Sequence, residues 1–187
     1  MAMARVVQLC GVVWGRWALL VLACLAMASP GLAEEKALKG IALVIAQSDY
    51  ENLDDLANPA NDAREIQKLL ADLGFEVQSV SDGDRRRLDR QLERFVEDAE
   101  EADVALLYYS GHGIEAGGEN FLVPIDADLS SLEEADTRLV SLSPHVEALK
   151  RTVPVAIILL DACRTSPIPA GALLKTAETP AGLPVTA

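Results

Sequence analysis

Asp103-Val104-Ala105-Leu106-Leu107-Tyr108-Tyr109-Ser110-Gly111-His112-Gly113 decides how this chain is read. Asp103 to Tyr109 is an apolar run of strand length, without the polar alternation of a half-exposed strand, so it reads as a strand buried on both faces of a parallel sheet. The run stops at Ser110, and His112 follows between two glycines. A second apolar run, Val155 to Leu160, ends in Asp161-Ala162-Cys163-Arg164. Each run delivers a reactive side chain just past its C-terminal end, the edge at which open α/β sheets bind ligands. A His and a Cys there face each other across one crevice, as a cysteine nucleophile and its proton acceptor must.

Working outward, Ile41 to Ala46 is another continuous apolar run and reads as a parallel strand. A polar loop spans Gln47 to Ala57, and Asn58-Pro59 opens a helix with Pro in its first turn. Ile66, Leu69, Leu70 and Leu73 fall on one helix face, and Gly74 marks its stop. Phe75 to Val80 alternates like a strand near a sheet edge. Asp82-Gly83-Asp84 is a turn that caps the next helix, whose stripe is Leu88, Leu92, Phe95, Val96 and Ala99. Arg85-Arg86-Arg87 reads as a solvated helix end. Gly117-Gly118 sets a hairpin between Ile114 and the Asn120–Pro124 segment. Asp126 to Arg138 is an acidic loop. Ser143-Pro144 starts a helix with Val146 and Leu149 inward. Strands alternating with helices define an α/β class with a mostly parallel sheet. Beyond Arg164 the chain turns rich in Pro, Ala and Gly, and no strand is assigned there.

The 187 residues fit one domain plus appendages. A net charge of −13 argues against nucleic acid as a partner. Residues 1–33 carry Arg5 and Arg16, an apolar stretch from Trp17 to Ala28, and Gly31-Leu32-Ala33 before Glu34. That is the pattern of a secretory signal peptide; an uncleaved anchor is the weaker reading, because the stretch is short for a spanning helix. Export to the periplasm or medium follows. Cleavage after Ala33 removes Cys10 and Cys24 and leaves Cys163 as a single thiol. A lone thiol in an exported chain is an intermolecular bridge, a reactive group or an inert buried residue. A Cys/His zinc site needs three or four ligands, so no metal is assigned to the pair. His145, at a helix start, reads as a surface residue.

The two boxes, Tyr109-Ser110-Gly111-His112-Gly113 and Asp161-Ala162-Cys163-Arg164, resemble those of the caspase-like cysteine peptidases, the caspase clan of peptidase family C14. The bacterial metacaspase and paracaspase group is the nearest. Leu43-Val44-Ile45 before the turn to Tyr50 resembles that family's first strand, and Leu56 to Ala63 resembles the opening of its first helix. The similarity runs from about Lys39 to Arg164. It implies a three-layer sandwich with a mostly parallel central sheet, organised as a short linker 34–39, a catalytic domain 40–165 and a Pro/Ala-rich segment 166–187.

It also implies roles. Cys163 would be the nucleophile and His112 the general acid/base. The N–H groups of Gly113 and Cys163 would form the oxyanion hole. Asp62, Ser110 and Asp161 would line an acidic S1 pocket for protein or peptide substrates with Arg or Lys at the cleaved position, and paired carboxylates suit a guanidinium. Taken alone, Asp62 also fits a helix-start acid favoured by the dipole. Asp161, at the end of an apolar strand, needs a partner. Two departures stand out: Ala46-Gln47 replaces the family's frequent Gly-Asn, and the family's sheet continues further past the Cys box than this chain does. The expected C-terminal strands are then truncated, or a partner chain or second copy completes the sheet, whose open edge invites pairing. The alternative function is a non-catalytic caspase-like binding or regulatory module. Calcium dependence occurs among metacaspases; Asp126 to Asp136 offers oxygen ligands but lacks an EF-hand pattern, so no cofactor is assigned.

Overall fold

The computed structural model describes residues 37–130, 133, 137–163, 173–177 and 179–186, with Cys163 and Thr186 described by backbone alone. The expected leader 1–33, Arg164 and much of the 166–187 segment lie outside the described residues.

The elements run β1 (Gly40–Ala46), α1 (Pro59–Asp72), β2 (Glu76–Ser81), α2 (Arg85–Asp98), β3 (Val104–Ala116), β4 (Glu119–Leu122), β5 (Val140–Ser141), α3 (Ser143–Thr152), β6 (Val155–Cys163), β7 (Leu173–Leu174) and β8 (Leu183–Thr186). β2, β1, β3 and β6 lie side by side, each neighbouring pair parallel. The chain moves from β1 outward to β2, then crosses back to place β3 on β1's other side. The direction reverses between β1 and β3, and such a switch point opens a crevice at the C-terminal strand ends.

Two helical layers cover the sheet. On one face Ala42, Val44, Ala46, Leu106 and Tyr108 bury against Ala63, Leu70 and Ile66 of α1. On the other, Leu43, Ile45, Leu107 and Tyr109 pack on Leu88, Leu92 and Phe95 of α2 and Leu149 of α3. Period-two strands feed both layers, which is why the core strands read as unbroken apolar runs.

Local chemistry fixes the ends. Asp84 caps α2, its Oδ1 accepting the Arg87 N–H at 2.7 Å. Gly74 takes φ +84° just beyond α1. Gly117 and Gly118 take φ +61° and +86°, the two positive values of a tight β3–β4 hairpin.

Several details differ from the sequence reading. The inward face of α1 is Ala63, Ile66 and Leu70, while Leu69 and Leu73 are exposed. β3 does not end at Tyr109. It continues through the His box to Ala116, leaving the parallel sheet and pairing antiparallel with β4 and β8. β7 and β8 are strands where none was assigned; they pair with each other, and Leu174 is fully buried in a second core with Tyr50, Ile114, Phe121 and Leu139. β6 reads as buried but exposes Val155, Ile157, Leu159 and Leu160, because among the described residues it pairs only with β3. His145 is half-buried beside Asp89 and Glu93, and burial lowers its pKa. Arg85 is not simply solvated: its Nε donates to the Leu139 carbonyl and its Nη1 lies 3.2 Å from Asp89.

Candidate active site

The parallel register of β3 and β6 sets Ser110 opposite Asp161, Gly111 opposite Ala162 and His112 opposite Cys163. Neighbouring strands lie about 4.8 Å apart, so the backbones carrying the His and the Cys are immediate neighbours. Both residues belong to strands rather than to loops beyond them, which gives the pair a rigid footing.

His112 is 8% exposed and held from several sides. Its Nε2 lies 2.9 Å from the Asp54 carbonyl. A carbonyl only accepts, so Nε2 carries the proton and Nδ1 keeps its lone pair in the neutral ring. The Tyr50 ring packs on the imidazole, centroids 4.6 Å apart and tilted by 52°. The His112 main-chain N–H donates to the Tyr50 hydroxyl at 2.8 Å, and the Tyr109 hydroxyl donates to the His112 carbonyl at 2.5 Å.

The loop bearing Asp54 is fastened in turn. The Tyr50 N–H donates to Asp55 Oδ1, and the Leu56 N–H to the Ser48 carbonyl, both at 2.9 Å. Asp82, at φ 48°, accepts the Ser48 and Asp49 N–H groups. Gln47, fully buried, pairs its side-chain amide with both the N–H and the carbonyl of Gly83, each at 2.7 Å. The departure at Ala46-Gln47 therefore has a defined structural use: a bidentate amide staple from the first strand to the turn before α2.

Beside His112 lies a pocket of about 140 Å³ lined by Leu56, Ala57, Asn58, Pro59, Asp62, Ser110, Gly111 and Asp161. Asp62 comes from the first turn of α1, Ser110 from β3 and Asp161 from β6. Three residues distant in sequence, expected to share a pocket, line the same one. The carboxylates of Asp62 and Asp161 are exposed, whereas Ser110 is buried. Tyr108 donates to Asp161 Oδ2 at 3.3 Å; Asp161 was expected to need a partner, but its exposure removes that need. Burial, and then the nearby Asp161 and Asp62 charges, raise the Tyr108 pKa. Gly113 has no room for a side chain, since a Cβ there would sit 2.9 Å from that of Ala162.

Sequence reasoning missed Asp54, Tyr50 and Tyr109 as parts of the site. Tyr109 and Tyr50 stood within quoted segments without roles; Asp54 acts through its main chain, which leaves no residue-type signal. Among the described residues no cluster of three or more His, Cys, Asp or Glu side chains is disposed to hold a metal. Residues 131, 132 and 134–136 of the acidic loop lie outside the described ones, and Asp128 is engaged with the Ser130 N–H and with Arg138.

The family model of the caspase domain, peptidase C14, matches residues 39–183, and the chain belongs to that family. It is 29% identical over 133 residues to human mucosa-associated lymphoid tissue lymphoma translocation protein 1, covering 71% of this chain and 15% of that protein, and the mouse homolog gives the same values. The fold matches the Drosophila initiator caspase Dronc with a TM-score of 0.53 at 13% identity, over 70% of this chain and 51% of that one. A Geobacter sulfurreducens protein gives 0.51 at 19%, over 67% and 50%. The matched region is thus a small part of the human relative and about half of each solved chain.

Proposed function

We propose that this caspase-domain protein is a cysteine-type endopeptidase that uses His112 and Cys163 to cleave peptide bonds after Arg or Lys. The observation that carries the reading is the β3–β6 register, which sets His112 opposite Cys163, one and two residues along the same strands from the Gly111, Ser110 and Asp161 that line a pocket with Asp62.

In this reading His112 Nδ1 takes the thiol proton and the Cys163 thiolate attacks the scissile carbonyl carbon. The carbonyl π electrons move to oxygen, and the N–H groups of Gly113 and Cys163 receive the developing charge. The C–N bond then breaks, His112 returns its proton to the leaving amine, and an acyl thioester remains for water to hydrolyse. The pocket carboxylates bind the substrate cation one residue before the cut. A guanidinium presents paired donors that suit two carboxylates.

The test is capture by an irreversible peptide label ending in Arg. Mass spectrometry should find the adduct on Cys163, with labelling lost in His112→Ala and weak for a label ending in Asp. A label that spreads over other residues, or ignores the His112 change, would contradict the reading.

Among the described residues β6 pairs on one side only, and this favours a second element: a strand from a partner chain or a second copy completes the sheet there. Sedimentation of a fully active monomer would sink that idea and leave the dyad untouched. The apolar stretch from Trp17 to Ala28 supports export, which fractionation of the producing cell would check.

A further inference from the structure

The hydroxyl groups of Tyr50 and Tyr109 do not touch the reacting atoms of the proposed dyad, yet both converge on the main chain of His112. Each phenol can donate one hydrogen bond and accept others. The Tyr50 oxygen accepts the His112 N–H at 2.8 Å, so its own proton is directed elsewhere. Tyr109 gives its proton to the His112 carbonyl at 2.5 Å, so its oxygen is free to accept. Tyr109 also reaches the Val123 carbonyl at 3.3 Å. The two hydroxyls thus hold opposite ends of the His112 residue: one accepts its N–H and the other donates to its carbonyl.

Gly111 makes room for both hydroxyls. A Cβ at Gly111 would lie 2.7 Å from the Tyr109 hydroxyl and 2.9 Å from that of Tyr50. The glycine before His112 is therefore required by two tyrosine oxygens as well as by the path of the strand. The Tyr50 ring also rests on the imidazole, so one residue governs both the main chain and the ring of the base.

We infer that Tyr50 and Tyr109 are positioning residues that clamp the His112 peptide groups from both ends and so fix the imidazole against the Cys163 strand. The inference rests on the dyad reading above. It also explains why β3 keeps His112 aligned with Cys163 at the point where the strand leaves the parallel sheet for the β4 hairpin. A His on an unsupported bend would sample other directions, and misplacement of a catalytic group by about 1 Å costs about a hundredfold in rate.

The experiment measures alkylation of Cys163 by iodoacetamide against pH on the full chain, following the Cys163 peptide by mass spectrometry. It is joined to kcat and KM on an Arg-ending peptide. Tyr50→Phe, Tyr109→Phe and Gly111→Ala are compared with the parent and with His112→Ala. A profile in His112→Ala that matches the parent's refutes the dyad reading itself. With that control altered, the clamp predicts that each of the three variants shifts the profile toward that of His112→Ala. It also predicts kcat lower by about 10-fold or more with KM within about 2-fold. Loss of packing alone would lower the melting temperature and the active fraction without moving the profile. Any of the three variants that melts cooperatively, near the parent temperature, and keeps both the parent profile and the parent kcat overturns the inference.

Discussion

Asp161 and Asp62 reach the same pocket from different elements. Asp161 is oriented by Tyr108, whereas Asp62 stands in the first turn of α1, where the helix dipole favours an acid. A hydrogen bond to a charged partner contributes about 1.5–3 kcal/mol. Asp161→Asn should therefore lower kcat/KM for Arg-ending peptides by about 10- to 150-fold, with little change in melting temperature. An unchanged preference for Arg over uncharged residues would remove Asp161 from the proposed specificity pocket. The tyrosines give a second prediction at this scale. The chain has three, and burial raises the pKa of all of them: Tyr50 to about 12, Tyr109 well above 10 and Tyr108 upward as well. The folded state thus holds its phenol protons more tightly than the unfolded chain. That stabilisation is present below pH about 10 and is lost as pH rises toward about 12. Ultraviolet titration should show little tyrosinate in the folded protein at pH 10 and a steep rise on alkaline unfolding. Half-ionised tyrosines in a folded protein at pH 10 would contradict the burial of these hydroxyls.

At the level of elements, the sheet holds the site and the helices hold the sheet. Leu88, Leu92 and Phe95 of α2 are fully buried, whereas Leu69 of α1 is more than half exposed. Phe95→Ala should cost about 3–5 kcal/mol and Leu69→Ala less than about 0.5 kcal/mol beyond helix propensity, as read by denaturant melts; equal losses would mean the layers are misassigned. These two leucine-rich helices show how far the sequence was legible. The α2 stripe could be read because a charged face opposes it. The α1 stripe was half wrong because Leu69 and Leu73 share the period of Leu70 but not its side of the sheet. The cores of β1 and the first part of β3, the Asp84 cap and the glycine hairpin were readable because each follows from a local rule. The length of β3 was not, because its continuation depends on β4 and β8, whose pairing no local pattern of Gly111-His112-Gly113 encodes. The same holds for the site. The candidate residues His112, Cys163, Asp62 and Asp161 stand out by type and place, while Tyr50, Gln47 and the Asp54 carbonyl act through contacts that only the fold assembles.

For the molecule as a whole, the reversal of strand order at β1 and β3 places the crevice, and the chain's motifs gather there. Loop 47–58 brings Tyr50 and the Asp54 carbonyl, β3 brings Ser110 and His112, and β6 brings Asp161 and Cys163. The net charge of −13 adds a field that attracts basic segments, in keeping with the proposed preference for Arg and Lys. The proposal stands or falls on cleavage of fluorogenic peptides ending in Arg, Lys or Asp by the protein and by its Cys163→Ala variant. We expect cleavage after Arg and Lys, none after Asp, and no cleavage by the variant. Cleavage that survives the loss of Cys163, or a folded protein that cuts none of the peptides, would contradict it.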